Sequence, residues 1–187
     1  MARISYIKKD MAPESLQHLF RPDGPQNIGG LLAHAENNYE PLVGLLMSLL
    51  TRQKLNAQLR EIGILRVAQL SGSEYEWIQH LTFGKMAGVT EDQIAALEKG
   101  DVEADCFNAL ERLVIQFTDQ FVTKGNAPEP MVKDLVARLS EQEVVELILA
   151  IGTYMAVGRL MNVLDIDLEP TMGKGSASSL MDDYKES

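Results

Sequence analysis

Residues 59–97 read LREIGILRVAQLSGSEYEWIQHLTFGKMAGVTEDQIAAL, and the organisation of the whole chain can be worked outward from them. Apolar residues crowd the first twelve positions, and Asn56 stands just before them as a helix cap. The run stops at Gly72, a residue suited to the left-handed turn that ends a helix. Ser73 with Glu76 three residues on has the pattern of a capping box, which predicts a second helix returning along the first. Gly88 closes that helix, and Thr90 with Gln93 repeats the box for a third.

The rest of the chain follows the same grammar. Residues 1–13 read as an extended arm with a short helix after Pro13, and RPDGPQNIGG (21–30) reads as a loop. Leu42, Leu45, Leu46, Leu49 and Leu50 recur at helical spacing. Asp101 or Asp105 is expected to open a long helix that Gly125 stops, and Pro128 suits the first turn of a short one. Ser140 and Glu143 box the longest helix, about 140–165. No segment of length alternates as a strand does. The fold class is therefore all-α, in three parts: an arm and loop at 1–27, a helical domain at 28–169, and a small, polar, mobile tail at 170–187.

Composition narrows the function. The net charge of −10 and the lack of any basic block argue against a nucleic-acid partner. The N-terminus has no apolar signal core, and LILAIGTYMAVG (147–158) is too short to span a bilayer. A single cysteine, Cys106, permits no intrachain disulfide and suits a reducing cytoplasm. A soluble cytoplasmic protein with no membrane partner is expected.

Capping explains Ser73 and Glu76 but not Tyr75, Trp77 and His80. Glu76 and His80 are four apart and share a helix face. A carboxylate beside an imidazole orients the ring and favours its charged form, the arrangement of a general acid/base. The same residues also fit a surface pair or a satisfied core histidine. Reflection about Gly72 places His80 opposite Ile64, with Glu61 about one turn away, a gap that two long side chains or a bridging water could close. Glu61, Glu76 and His80 are acceptable divalent-metal ligands, but no second histidine is placed to help, so no metal is expected. His34 reads as a packed or interface histidine and His18 as a solvated one. Tyr75 and Trp77 read as packing or pocket wall, and Arg66 as a partner for a carboxylate or for solvent.

The 59–97 stretch resembles the core of the carboxymuconolactone decarboxylase and alkylhydroperoxidase-D family. The match lies in the glutamate-bearing helix with L-R-V-A, the small-residue turn, and the tyrosine and histidine before A-G-x-T-x-x-x-I. LLAHAEN (31–37) and YMAVGRLMN (154–162) match more loosely. The resemblance implies an AhpD-like helical fold built on a central antiparallel helix hairpin and assembled into homo-oligomers. In the peroxidase branch the second helix starts C-x-x-C-x-x-x-H, with a glutamate twelve residues upstream of the first cysteine. Here Ser73 and Glu76 occupy the cysteine positions, while His80 and Glu61 keep the other two. Thiol–disulfide exchange needs an attacking and a resolving thiol, so thiol peroxidase activity is expected to be absent. The decarboxylase branch lacks the cysteine pair and acts on a lactone acid without a cofactor. The resemblance thus implies a cofactor-free enzyme on a small carboxylated or lactone-like molecule, with catalysis by His80, Glu61 and Glu76. Ser73, Tyr75 and Trp77 would form the binding surface. The alternatives are a catalytically silent helical oligomer or a redox protein with a degenerate motif.

Overall fold

Every regular element is helical in the computed structural model, which describes residues 1–21 and 26–185. Its centre is a helix spanning Ala57–Ser71, the third α-helix (α3) in chain order. The Asn56 side chain accepts from the Gln58 and Leu59 amides, and Gly72 ends the helix at φ 60°. All ten residues from Leu59 to Ala68 are buried, Arg60, Glu61 and Arg66 included. A helix with so little wet face must be wrapped by others. α4 (Glu74–Ala87), α6 (Ala109–Lys124) and α8 (Glu141–Leu164) do so. α1 (Gln26–Leu32), α2 (Glu36–Thr51), α5 (Glu91–Lys99), α7 (Glu129–Arg138) and α9 (Lys174–Lys185) complete the fold, with 3-10 turns at Lys9–Met11 and Glu14–Leu19.

The expected loop at 21–30 is shorter than its glycines suggest. Positions 22–25 lie outside the described residues, but α1 already begins at Gln26. Gly29 and Gly30 are there for space: a Cβ on Gly30 would lie 2.9 Å from the Ile7 carbonyl oxygen and 3.0 Å from Tyr6 Cβ. The N-terminal arm packs in that space, and the Ile7 amide donates to the Gly30 carbonyl.

Two caps fall elsewhere than expected. Asn108, not Asp101 or Asp105, opens α6, in a reciprocal box with Glu111. The box at Ser73 does not form, since its hydroxyl makes no capping bond. The boxes at Thr90 and Ser140 do form. The part of the expected tail that is described, 170–185, also differs from expectation, while 186–187 lie outside the described residues. Lys174–Lys185 is helical, and Met172 and Ala177 are buried against Phe83. That apolar contact supplies what the polar composition lacks.

α8 has the length and apolar content to cross a membrane. Its Leu147, Ile151, Tyr154, Val157 and Met161 are buried in the core, the place of a central helix in a folded domain.

Candidate active site

His80, buried on α4, is held from three helices. Its Nδ1 lies 2.8 Å from Oε2 of Glu61 on α3. The Tyr154 ring of α8 stands edge-on to the imidazole, centroids 4.4 Å apart, and Phe83 packs at 5.6 Å. The gap expected between His80 and Glu61 is closed by direct contact.

Glu61 has no solvent exposure, and its second oxygen accepts from Arg60 Nε at 3.0 Å. Burial alone would push this carboxyl up, but His80 and Arg60 outweigh it and hold it below the ordinary carboxylate range. An ionised carboxylate only accepts, so the proton of the Glu61–His80 bond sits on Nδ1. Nε2 is then the nitrogen left to do chemistry.

Nε2 points toward Glu76, whose Oε2 is 3.6 Å away. Glu76 is 4% exposed, and its Oε1 is buried without a hydrogen-bond partner. Burial pushes this carboxyl up, partly opposed by the nearby imidazole. The Tyr154 phenol is likewise held protonated, by burial first and then by the charges of Glu61 and Glu76.

Glu76 and His80 face a cavity of about 160 Å³. Its walls are largely apolar: Val43, Leu46 and Met47 from α2, Phe83 from α4, Val157 from α8, and Leu180 from α9. Tyr75, Gln79 and Tyr154 add polar atoms, and Arg21 lies on the wall as well. Tyr75 donates to Oε1 of Glu169 at 2.5 Å, and Glu169 also accepts from the Gln26 and Asn27 amides at 2.8 and 3.0 Å. This carboxylate ties the start of α1 to α4. Burial, then the bond to Glu169, raises the Tyr75 phenol.

The structure thus brings His80, Glu61, Glu76 and Tyr75 together, with Glu61 behind His80 rather than in the wall. Ser73 and Trp77 are elsewhere. Ser73 is buried under α8, its hydroxyl 3.5 Å from the Gly158 carbonyl. Gly158 makes room for this packing, since a Cβ there would sit a tight 3.2 Å from Ser73 Oγ and 3.4 Å from Glu76 Cγ. Trp77 is half-buried against the cluster of Ile62, Leu65 and Leu97. Both border a shallow surface groove instead of the cavity.

Arg60, Tyr154, Gln79 and Glu169 belong to the site but were not anticipated. Arg60 and Tyr154 did leave a signal, as polar groups inside otherwise apolar helical stretches. Arg66 forms a two-pronged pair with Asp119, at 2.6 and 2.9 Å, and takes no part in the site. His34 is exposed and meets the Ser5 carbonyl through Nε2 at 2.7 Å. His18 is solvated and stands 3.7 Å from Glu40. Cys106 packs beside Phe107 and does not line the cavity. Among the described residues no cluster of His, Cys, Asp and Glu is arranged to hold a metal ion.

Residues 37–119 match the model of the carboxymuconolactone decarboxylase family, which bears out the resemblance carried by 59–97. Three solved structures share the architecture. An uncharacterized peroxidase-related protein with an alkylhydroperoxidase AhpD core, from Ralstonia eutropha, is 12% identical with a TM-score of 0.77, over 98% of this chain and 96% of that one. A debrominase variant in complex with 2,3,4-tribromopyrrole is 14% identical with a TM-score of 0.72, over 98% and 100%. A protein of unknown function from Agrobacterium tumefaciens is 18% identical with a TM-score of 0.65, over 72% and 92%. At such identities they show a common fold and nothing finer. No curated protein sequence matches the chain.

Proposed function

We propose that this carboxymuconolactone decarboxylase-like chain is a cofactor-independent acid/base enzyme acting on a small carboxylated or lactone-like molecule. One observation carries the reading: a buried relay, Arg60–Glu61–His80, delivers Nε2 of the imidazole to the wall of an apolar cavity beside a carboxyl with one unpartnered oxygen. Glu61 fixes the ring's orientation and stabilises its charge when Nε2 gains a proton. Arg60 keeps Glu61 ionised. Glu76, its carboxyl raised by burial, supplies a proton to an oxygen of the substrate while Nε2 takes one from carbon. The substrate leaves as its enol, Nε2 then passing its proton on to Glu76, or as its double-bond isomer, Nε2 returning the proton to another carbon while Glu76 recovers its own. A substrate with an activated carboxylate instead loses carbon dioxide and gains one solvent proton at the carbon that carried it. No external reductant or oxidant is needed.

Thiol peroxidase chemistry does not fit this reading, because serine and glutamate hold the places of the two thiols. The protein would work as a cytoplasmic homo-oligomer.

Solvent deuterium entering carbon positions of unsaturated lactones and their acids, followed by NMR, is the direct test. His80→Asn is expected to lower the exchange rate at least a hundredfold, the range of general acid–base contributions, while the helix stays folded. Exchange that persists in His80→Asn would refute the assignment. So would dithiol-dependent hydroperoxide turnover that survives Cys106→Ser.

A further inference from the structure

We infer that the cavity takes an uncharged molecule of single-ring size, whose one polar atom meets Glu76 and His80, and that it turns carboxylates away. The inference rests on the acid/base reading of the site and narrows its substrate class to the neutral, lactone-like half.

Size comes first. A cavity of about 160 Å³ is close to the ~150 Å³ apolar cavity that stays dry and admits benzene in another protein. A single ring fits this volume.

Charge comes next. The polar end of the cavity is acidic: Glu76 stands in the wall and Glu61 directly behind His80. The buried cation nearby, Arg60, is already committed to Glu61. Arg21 lines the cavity but is only half-buried and has an interaction of its own. A carboxylate entering here would lose its water and find Arg60 already committed to Glu61, so nothing replaces the lost solvation in full.

The polar demand is also specific. Glu76 Oε1 is buried and unpartnered, and an orphaned buried oxygen is costly. A ligand hydroxyl or N–H would donate to it, and a ligand carbonyl would accept from its protonated form. Most of the remaining wall offers apolar contact.

Isothermal calorimetry and protein NMR with three ring-sized probes test this at pH 7: phenol, cyclohexanone and benzoate. Phenol and cyclohexanone are expected to bind with one-to-one stoichiometry and to compete with each other. Benzoate should bind at least about tenfold more weakly, and its binding should recover as the pH falls and benzoic acid forms. Val157→Phe fills the cavity and should abolish both neutral ligands. Val43→Phe, on the α2 wall, serves the same purpose should the first variant not fold. Benzoate binding as tightly as phenol at pH 7, or neutral binding untouched by either filled cavity, or no binding of either neutral probe, would overturn the inference. The acid/base reading fails separately. If neutral rings are preferred but no His80-dependent proton exchange appears, only that reading falls. If exchange stands while benzoate is preferred, only the ligand class falls.

Discussion

Glu61 and Glu76 flank one imidazole, and their surroundings push them in opposite directions. Glu61 lies below the ordinary carboxylate range, so its contribution to stability is complete above that range and is lost as pH falls through its folded value. Glu76 lies above it, so the folded state resists its ionisation, and stability declines as pH rises from the ordinary value toward the raised one. Two substitutions of the same shape should therefore act oppositely on thermal unfolding at pH 7. Glu61→Gln leaves Arg60 and His80 buried without their anion and should cost about 3–5 kcal/mol. Glu76→Gln removes a carboxyl that burial penalises, so it should raise the melting temperature while lowering turnover. That gain should shrink as the pH is lowered toward the ordinary carboxylate value, where Glu76 is neutral folded or unfolded. A melting temperature that falls in both variants would show that Glu76 is held by bonds the cavity geometry does not reveal. Spacing about the Gly72 turn allowed His80 to meet Glu61 without requiring it, and the family resemblance named the pair. Spacing could not show that Glu76 turns inward, since the S-x-x-E pattern of 73–76 also describes a cap and burial alone distinguishes the two.

Turns decide between those uses at the level of the element. α3 ends with the Gly72 amide donating to Gln69 and the Ser73 amide donating to the Ala68 carbonyl at 2.9 Å. This is a Schellman closure, and it consumes the amide that Glu76 would have to accept in a capping box. At the end of α4 the same closure uses Val89, whose amide bonds Gly84, and so Thr90 keeps its amide free for Gln93. One spacer residue after the glycine is the whole difference. Thr90→Ala should cost the usual cap energy of about 0.5–2 kcal/mol. Ser73→Ala forfeits only a long bond to Gly158 and should cost less than about 1 kcal/mol in chemical denaturation. A larger loss at Ser73 than at Thr90 would overturn this account of the two turns. Most helix boundaries were legible because glycines and capping residues act locally. α6 was misplaced because nearby aspartates competed with Asn108, although Asn108 and Glu111 carry the box spacing. α9 was missed because its small, polar residues have weak intrinsic preference, and contact with Phe83 comes only from the distant chain.

At the scale of the whole molecule, α8 has two apolar faces and the core uses one. Val145, Leu149, Leu160 and Val163 remain 56%, 48%, 36% and 63% exposed, with Ala156 on the same stripe. Their spacing of four, seven, four and three residues keeps them on one side along the length of the helix. Four large apolar side chains in one line are an exposed patch of the kind that marks an interaction surface. Crossing a bilayer would need the opposite face too, and that face is locked against α3 by Leu147 and Ile151, both fully buried. We propose a second copy of the chain as the occupant, with Ala156 leaving room for two α8 helices to come close. Light scattering at micromolar concentration should give a multiple of 20.7 kDa. Leu149→Glu places a charge in the middle of the stripe and should return the monomer mass with the helical circular dichroism unchanged, since Leu149 touches solvent and not the core. An unmodified chain that already runs as a monomer would remove the claim. A Leu149→Glu chain that keeps the oligomer mass would move the interface to α2, where Leu45 is 38% exposed.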